Sequence, residues 1–163
     1  MIRQVTTEDA PEICEIYNYY VLKTSITFEE HPVQKDEMTK RIRETTAKLP
    51  WLIWCANGHI LGYCYASAWK NRPAYRLSVE TTVYLHAEAL GNRIGSQLYE
   101  ALISELQQRS VHAAIAGIAL PNPASIALHE KFGFEKVAHF KEVGFKFGRW
   151  IDVGYWQLII SAR

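Results

Sequence analysis

Glu80 is the first residue whose type and place could do chemistry. It lies in the stretch 77–85, where apolar and polar residues alternate with the period of two that is typical of a half-buried strand. Burial of a carboxylate in a sheet disfavours its charged form and raises its pKa toward the range of a general base. The alternative is an ordinary solvent-facing strand residue.

A second candidate group lies around the sequence Pro121-Asn-Pro. Asn122 followed by Pro123 is typical of a helix N-cap with proline at the first helical position. Ser125 and His129 are four residues apart and therefore share one face of that helix. A histidine can exchange a proton near neutral pH. Capping and packing are the alternative reasons for these residues.

The third candidate is the turn from Leu90 to Ser96, which leads into another helix. Gly91 and Gly95 permit unusual dihedral angles and a close approach of the backbone to a ligand. The unpaired N–H groups of a helix start bind phosphate without any basic side chain. The turn matches neither the P-loop nor the dinucleotide fingerprint, and two glycines around a helix start are also common as simple punctuation.

The composition restricts the partners of these groups. The chain has 163 residues and 18.7 kDa, with Lys+Arg 18 against Asp+Glu 17, which predicts a single domain over 1–163 with a formal net charge of +1. So small a charge argues against nucleic acid and against an anionic membrane as partners. Any bound anion must be held locally. Aromatic residues make up 12%, with five Trp and nine Tyr, which predicts a pocket or an interface lined by rings.

Cysteine and histidine usage predicts a reducing compartment and no metal. Cys14, Cys55 and Cys64 are an odd set without C-x-x-C spacing, which is a poor disulfide framework. The six histidines are scattered without ligand-like spacing. No signal-like start and no apolar run of about twenty residues is found, so we expect a cytoplasmic protein without a membrane partner.

Periodicity and turn residues predict the elements that position the three candidates. Asn57-Gly58 predicts a tight hairpin turn, and Ile94, Leu98, Leu102 and Leu106 form a helical stripe. The order mixes antiparallel strands with one strand–helix–strand crossover, so we predict an α+β (mixed α/β) fold. The predicted strands are 2–5, 51–56, 60–67, 77–85, 111–120, 134–143 and 150–160, with helices around 10–21 and 94–106, a surface helix over 33–48, a short helix from Pro123 to Gly133, and a bend over 144–148.

Longer strings resemble a known family in order and approximate spacing. They are Arg72-Pro-Ala-Tyr75, Val79-Glu-Thr-Thr-Val-Tyr-Leu85, Pro121-Asn122 with Ser125, Leu128-His-Glu130, Gly133-Phe134, and the run from Val143 to Val153. The chain resembles the GNAT superfamily of acyl-CoA-dependent N-acetyltransferases over almost its whole length. More narrowly, it resembles the phosphinothricin and methionine sulfoximine acetyltransferases.

The resemblance implies a fold and a co-substrate. The fold is a twisted mixed sheet, splayed at its centre, with helices on both faces. Acetyl-CoA would lie in the opening. The backbone around Val83, Tyr84 and Leu85 would bind the pantetheine arm, Asn122 and Ser125 would meet the co-substrate from the other side, and the turn would cradle the pyrophosphate. That turn comprises Leu90, Gly91, Asn92, Arg93, Ile94, Gly95 and Ser96.

The turn departs from the family pattern Q/R-x-x-G-x-G/A at two places. Leu90 occupies the Q/R position and Arg93 the first glycine position, whereas the final Gly95 is kept. The Arg93 side chain would either crowd the phosphates or pair with them in place of the lost donor. Gly91 could let the turn shift its register.

The resemblance also implies an activity, the transfer of an acetyl group from acetyl-CoA to the primary amine of a small amino-acid-like substrate. Glu80 would be the general base and His129 the acid for the leaving thiolate, or only a co-substrate contact. The expected acceptor residues are Phe28, Trp69, Arg72, Tyr75 and Arg76. The alternatives are a non-catalytic acyl-CoA-binding regulatory module and an acetyltransferase for a protein N-terminus.

Family members are commonly dimers, so the resemblance implies a homodimer. The aromatic residues Trp150, Tyr155 and Trp156 near the C-terminus are candidates for its interface, and core packing is their alternative role.

Overall fold

The computed structural model describes residues 1–160, so the last three residues of the expected domain lie outside the described part. Seven strands form one sheet in the order β1-β2-β3-β4-β5-β7-β6. All neighbours are antiparallel except the parallel pair β4–β5. The strands are β1 Ile2–Gln4, β2 Trp51–Ala56, β3 His59–Ala68, β4 Ser78–Leu85, β5 Ala113–Ala119, β6 Glu135–Lys146 and β7 Arg149–Ile159. The predicted mixed α/β class is confirmed.

Four α-helices cover the sheet on both faces. They are α1 Ala10–Lys23, α2 Lys35–Thr46, α3 Ile94–Gln108 and α4 Pro123–Lys131. Helices α1 and α2 share one buried cluster with β2 and β3, whereas α3 packs with β4, β5 and β7 in a second cluster that α4 joins. The predicted stripe of Ile94, Leu98, Leu102 and Leu106 is buried along its whole length. Apolar spacing therefore fixes which face each of these helices turns inward.

The sheet opens in its middle, as the family resemblance implied. Strands β4 and β5 pair only over Ser78–Glu80 and Ala113–Ile115. Beyond these pairs β4 continues to Leu85 and β5 to Ala119 without pairing to each other. The two strands therefore leave a V-shaped gap, and the backbone groups that face the gap are free of sheet hydrogen bonds.

The hairpin prediction is confirmed, and two boundaries differ from expectation. Asn57 and Gly58 have φ of 52° and 80°, as a tight turn between β2 and β3 requires. The surface helix expected over 33–48 spans Lys35–Thr46. The bend expected over 144–148 is shorter than predicted: β6 pairs with β7 through Lys146, and only Phe147 and Gly148, with φ of 53° and 70°, form the turn. The pairing of β6 with β7 is irregular between Phe140 and Gly144.

Trp156 and Tyr155, expected at an interface, lie elsewhere. Trp156 is buried in the core, and Tyr155 contacts the gap between β4 and β5. Only Trp150 of the three expected residues is largely exposed. Within residues 1–160, the helices are too short or too polar for one to cross a membrane.

Candidate active site

A cavity of about 390 Å³ occupies the gap between β4 and β5. Both strands, the start of α4, the segment after α1 and the β6–β7 pair contribute to its wall. The lining residues are Ile26, Thr27, Phe28, Glu80, Thr81, Thr82, Val83, Tyr84, Ala116, Gly117, Ile118, Ala119, Asn122, Ser125, His129, Phe140, Val143, Val153 and Tyr155. Sequence positions more than 120 residues apart thus meet at one opening.

Glu80 lies on the β4 wall of this cavity, at the last residue of β4 that still pairs with β5. The side chain is half-buried, and burial raises the pKa of its carboxyl group, while the positive charge of Lys70 acts in the opposite direction. Within residues 1–160 we find no hydrogen bond to this carboxylate. Its oxygens are therefore available to accept a proton from a ligand in the cavity.

His129 lies on the α4 wall and is held from both sides. Its Nδ1 is 2.6 Å from the Ser125 carbonyl oxygen, and its Nε2 is 2.6 Å from the Tyr99 hydroxyl. A carbonyl oxygen only accepts, so Nδ1 carries the proton of the neutral ring. Tyr99 also bonds Thr81 of β4 at 3.0 Å. Burial lowers the pKa of His129, which favours this neutral form.

The backbone of β4 presents alternate residues to the gap. The carbonyl of Leu77 accepts hydrogen bonds from the β5 side, so every second residue from Leu77 onward directs its N–H and C=O groups that way. Val83 therefore faces the gap, whereas Tyr84 faces β3, with which it is in register. The carbonyl of Leu85 already accepts a hydrogen bond of 2.6 Å from the Tyr20 hydroxyl.

Asn122 and Ser125 form the entrance of α4. Asn122 is the N-cap, and its Oδ1 accepts from the Ser125 N–H at 3.2 Å, which confirms the predicted cap. The Ser125 hydroxyl lies 3.4 Å from Nδ1 of His129, so these two residues do share one helix face. The cap and the histidine are both part of the cavity wall.

The predicted phosphate turn precedes α3 and is mostly exposed. Gly91 and Arg93 have φ of 81° and 60°, a region that favours glycine, so Arg93 keeps the left-handed backbone that a glycine would adopt. A Cβ on Gly95 would lie 3.4 Å from Leu85, in ordinary van der Waals contact, so Gly95 lies against the end of β4. The turn thus presents the free N–H groups of the α3 start beside the end of β4.

The expected acceptor residues are only partly brought together. Phe28 lines the main cavity, and Trp69 lines a neighbouring cavity of about 360 Å³ that shares Phe140 and Tyr155 with it. Arg72, Tyr75 and Arg76 are exposed, and the structure does not place them in the wall of either cavity.

Two residues that contact the site were missed by the sequence reasoning. Tyr99 is completely buried yet bonds both Thr81 and His129. Lys131 donates to the Ser96 hydroxyl at 3.0 Å and so places a positive charge beside the phosphate turn. A tyrosine next to the apolar stripe of α3 was the available signal for Tyr99, because a buried phenol needs a polar partner.

Comparisons with known proteins agree with this geometry. The family model described as acetyltransferase (GNAT) domain matches residues 2–154. The chain is 40% identical over 160 residues to phosphinothricin N-acetyltransferase of Streptomyces coelicolor, covering 96% of this chain and 94% of that one. It is 35% identical over 166 residues to the L-methionine sulfoximine/L-methionine sulfone acetyltransferase of Salmonella typhimurium, covering 99% and 95%.

A solved structure has the same fold. The phosphinothricin acetyltransferase of Sinorhizobium meliloti, in complex with AcCoA, superposes with a TM-score of 0.96 at 37% identity, covering 99% of this chain and 88% of that one. Among residues 1–160, no group of three or more His, Cys, Asp or Glu side chains is arranged to hold a metal ion.

Proposed function

The chain belongs to the GNAT acetyltransferase family and is an N-acetyltransferase, and from this premise we propose that it acetylates small amino-acid-like amines with acetyl-CoA. The acceptor class is that of phosphinothricin, methionine sulfoximine and methionine sulfone. The observation that carries the proposal is Glu80, a half-buried carboxylate without a hydrogen-bond partner among the described residues, in a gap of the sheet. No separate acyl-enzyme is needed, since the amine attacks the thioester directly.

Glu80 is the proposed general base. An ammonium group has no lone pair, so the substrate must lose a proton before it forms the new C–N bond. Burial raises the pKa of the Glu80 carboxyl group, which brings its proton affinity closer to that of an amine. The N–H group of Val83, directed into the gap, is the proposed donor to the acetyl carbonyl oxygen as negative charge develops there.

The imidazolium form of His129 is the proposed acid for the departing thiolate, because loss of its Nδ1 proton leaves the stable neutral ring. Its Nδ1 proton is shared between the Ser125 carbonyl at 2.6 Å and the Ser125 hydroxyl at 3.4 Å. Because Ser125 lines the cavity, its hydroxyl offers the path by which this proton reaches the sulfur. One C–N bond forms, one C–S bond breaks, and one proton is released overall.

The chain fits acetyl-CoA at three places. The turn over 90–96 offers free N–H groups at the start of α3, which suits a pyrophosphate. Asn122 and Ser125 lie on the opposite wall. We propose that Arg93, exposed at the N-cap of α3, supplies the positive charge of the missing loop donor. The bound thioester supplies the acetyl group.

Thiol release tests the proposed function. Purified protein is incubated with acetyl-CoA and separately with methionine sulfone, methionine sulfoximine and phosphinothricin, and free thiol is followed with time. We expect amine-dependent release with at least one of the three compounds. Absence of release with any small amine, in a protein that still binds acetyl-CoA, would overturn the proposal in favour of a non-catalytic acyl-CoA-binding module.

We also propose that the enzyme works as a cytoplasmic homodimer. Its three cysteines are free thiols, which suits a reducing compartment. Phe145, Phe147 and Trp150 expose 55%, 58% and 62% of their surface on the β6–β7 hairpin, which supports an interface there. Light scattering after size exclusion tests the dimer, and a monomer at all concentrations would contradict it.

A further inference from the structure

The burial of apolar and charged side chains is inverted around Lys146 of the β6–β7 hairpin. Phe145 and Phe147 are largely exposed, whereas Lys146 between them exposes only 2% of its surface. Lysine is almost never fully buried unless it is paired. A charged side chain is thus buried between two exposed aromatic side chains, and such exceptions to the usual burial pattern are typical of functional or strained sites.

The buried ammonium is bound to the segment that follows α1. Nζ of Lys146 donates to the Thr27 carbonyl oxygen at 2.8 Å, across 119 residues of sequence. The charges of Glu29 and Glu30 favour the protonated amine, although burial dominates and lowers its pKa. We call residues 24–30 the Phe28 segment. Lys146 therefore holds this segment by its backbone from the β6 side.

The other side of the Phe28 segment is held by α1 and α2. The Tyr17 hydroxyl bonds the Thr27 hydroxyl at 2.8 Å and also the Glu29 carboxylate. Arg41 of α2 binds both oxygens of that carboxylate, at 2.7 and 3.0 Å. The segment is thus fastened at Thr27 and Glu29, the residues on either side of Phe28.

Gly144 of β6 provides the seat for the Phe28 ring. A Cβ on Gly144 would lie 2.3–2.4 Å from two atoms of this ring, closer than real contacts allow. Phe28, Val143 and Glu80 line the same cavity. The ring, the glycine and the buried lysine therefore link β6 to the place where the proposed acceptor amine meets its base.

We propose that Lys146 and Gly144 are positioning residues that fasten the Phe28 segment to β6 and thereby set the affinity of the enzyme for its amine acceptor. The proposal rests on the proposed function, which supplies the acceptor. It assigns no proton transfer to Lys146, because this side chain does not line the cavity. Its effect passes through the position of Phe28.

The first test replaces Lys146 by methionine, which keeps an unbranched chain and removes the ammonium. We expect the KM for the amine to rise at least about tenfold, as for a lost hydrogen bond to a charged group, while the KM for acetyl-CoA stays within about twofold. Lys141→Met, at an exposed lysine of the same strand, is the matched control and should change neither value. Equal rises for both substrates would overturn the proposal.

The second test asks whether the effect passes through Phe28. In a Phe28→Ala background, Lys146→Met and Gly144→Ala should each change the amine KM by less than about twofold, although each raises it in the native background. Full additivity would overturn the proposal. Gly144→Ala also supplies the kinetic answer if Lys146→Met does not fold, since it moves the ring without removing a charge.

Hydrogen exchange separates this proposal from the proposed function. In Lys146→Met, the amides of residues 26–30 should exchange at least about tenfold faster than in the native protein and in Lys141→Met, whether or not an amine is acetylated. Unchanged exchange at these amides would overturn the fastening. Failure of the native enzyme to acetylate any amine would instead overturn the proposed function and leave the exchange result to decide on the fastening.

Discussion

The two walls of the cavity differ in how far their titratable side chains are buried and hydrogen-bonded. On the β4 wall, Glu80 is half-buried, and burial raises the pKa of its carboxyl group. On the α4 wall, His129 exposes 3% of its surface, both of its ring nitrogens are bonded, and burial lowers its pKa. Burial favours the neutral form of both groups, but within residues 1–160 the carboxylate of Glu80 has no hydrogen bond, whereas both ring nitrogens of His129 do.

This difference assigns different kinds of work to the walls. A group that takes a proton from the substrate must have an unoccupied lone pair within reach of the ligand. A group whose hydrogen bonds are all formed keeps a fixed geometry and passes protons only along those hydrogen bonds. We therefore expect the β4 wall to control the rate and the α4 wall to control stability as well as the rate.

Replacement of Glu80 by glutamine is the strongest test of this division. The amide keeps the shape but cannot accept the amine proton, so kcat should fall by about 10²–10⁴-fold. The dissociation constant for acetyl-CoA, measured by calorimetry, should be nearly unchanged. Glu135→Gln, at an exposed glutamate of β6, serves as the control. Unchanged turnover in Glu80→Gln would remove Glu80 from the role of base.

Replacement of Tyr99 by phenylalanine should act on the other wall and mainly on stability. It leaves Nε2 of His129 and the Thr81 hydroxyl without their common partner, which costs about 1–3 kcal/mol of unfolding free energy. Urea unfolding measures this loss, and kcat should fall far less than in Glu80→Gln. Tyr19→Phe, at an exposed tyrosine, is the control. A loss of turnover as large as that of Glu80→Gln would contradict the comparison.

Local rules predicted the elements of both walls. The alternation over 77–85, the Asn122 cap and the stripe from Ile94 to Leu106 each depend on neighbours close in sequence, and each is found in the structure. The turn at Asn57-Gly58 was also predictable, because its backbone angles follow from its residue types. Positions within one element are thus accessible from the sequence.

Contacts between distant elements could not be predicted in this way. The irregularity of β6 and the burial of Lys146 depend on pairing with β7 and on a carbonyl 119 residues away. The resemblance implied that Arg72 and Arg76 bind the acceptor, but both are exposed and lie outside the cavity wall. The environment of a side chain depends on how distant elements pack around the cavity, which the sequence motifs of the family do not specify.

Replacement of Arg93 by glycine tests how the backbone conformation and the charge of this residue contribute at the start of α3. Its left-handed φ of 60° costs an L-residue about 1–2 kcal/mol, so Arg93→Gly should raise the unfolding free energy by about that much. If its guanidinium pairs with phosphate, the same variant should weaken acetyl-CoA binding about two- to fivefold, with a smaller salt dependence. Tighter binding in Arg93→Gly would instead mean that the side chain crowds the phosphates.

The acid dependence of stability gives the smallest expected effect and is assigned to His129 by comparison with its variant, because Glu80, whose pKa burial raises, contributes with the opposite sign in both proteins. Burial holds its folded pKa below the ordinary 6.5, so the unfolded chain binds a proton at higher pH than the folded one. The contribution of neutral His129 to the unfolding free energy is therefore complete above pH 6.5. It is lost as the pH falls below that value, by at most about 1.4 kcal/mol per pH unit.

Urea unfolding between about pH 7.5 and 5.5 measures this loss in the native protein and in His129→Asn, whose stability should vary less with pH. Asp9 and Glu29 do not interfere, because their pKa values lie below 3.8 and 4.5, so their contributions are lost only in stronger acid. His59→Asn, at an exposed histidine, should follow the native curve. Parallel curves for the native protein and His129→Asn would show that the α4 wall accepts a proton as readily as the unfolded chain, and the contrast with Glu80 would then be lost.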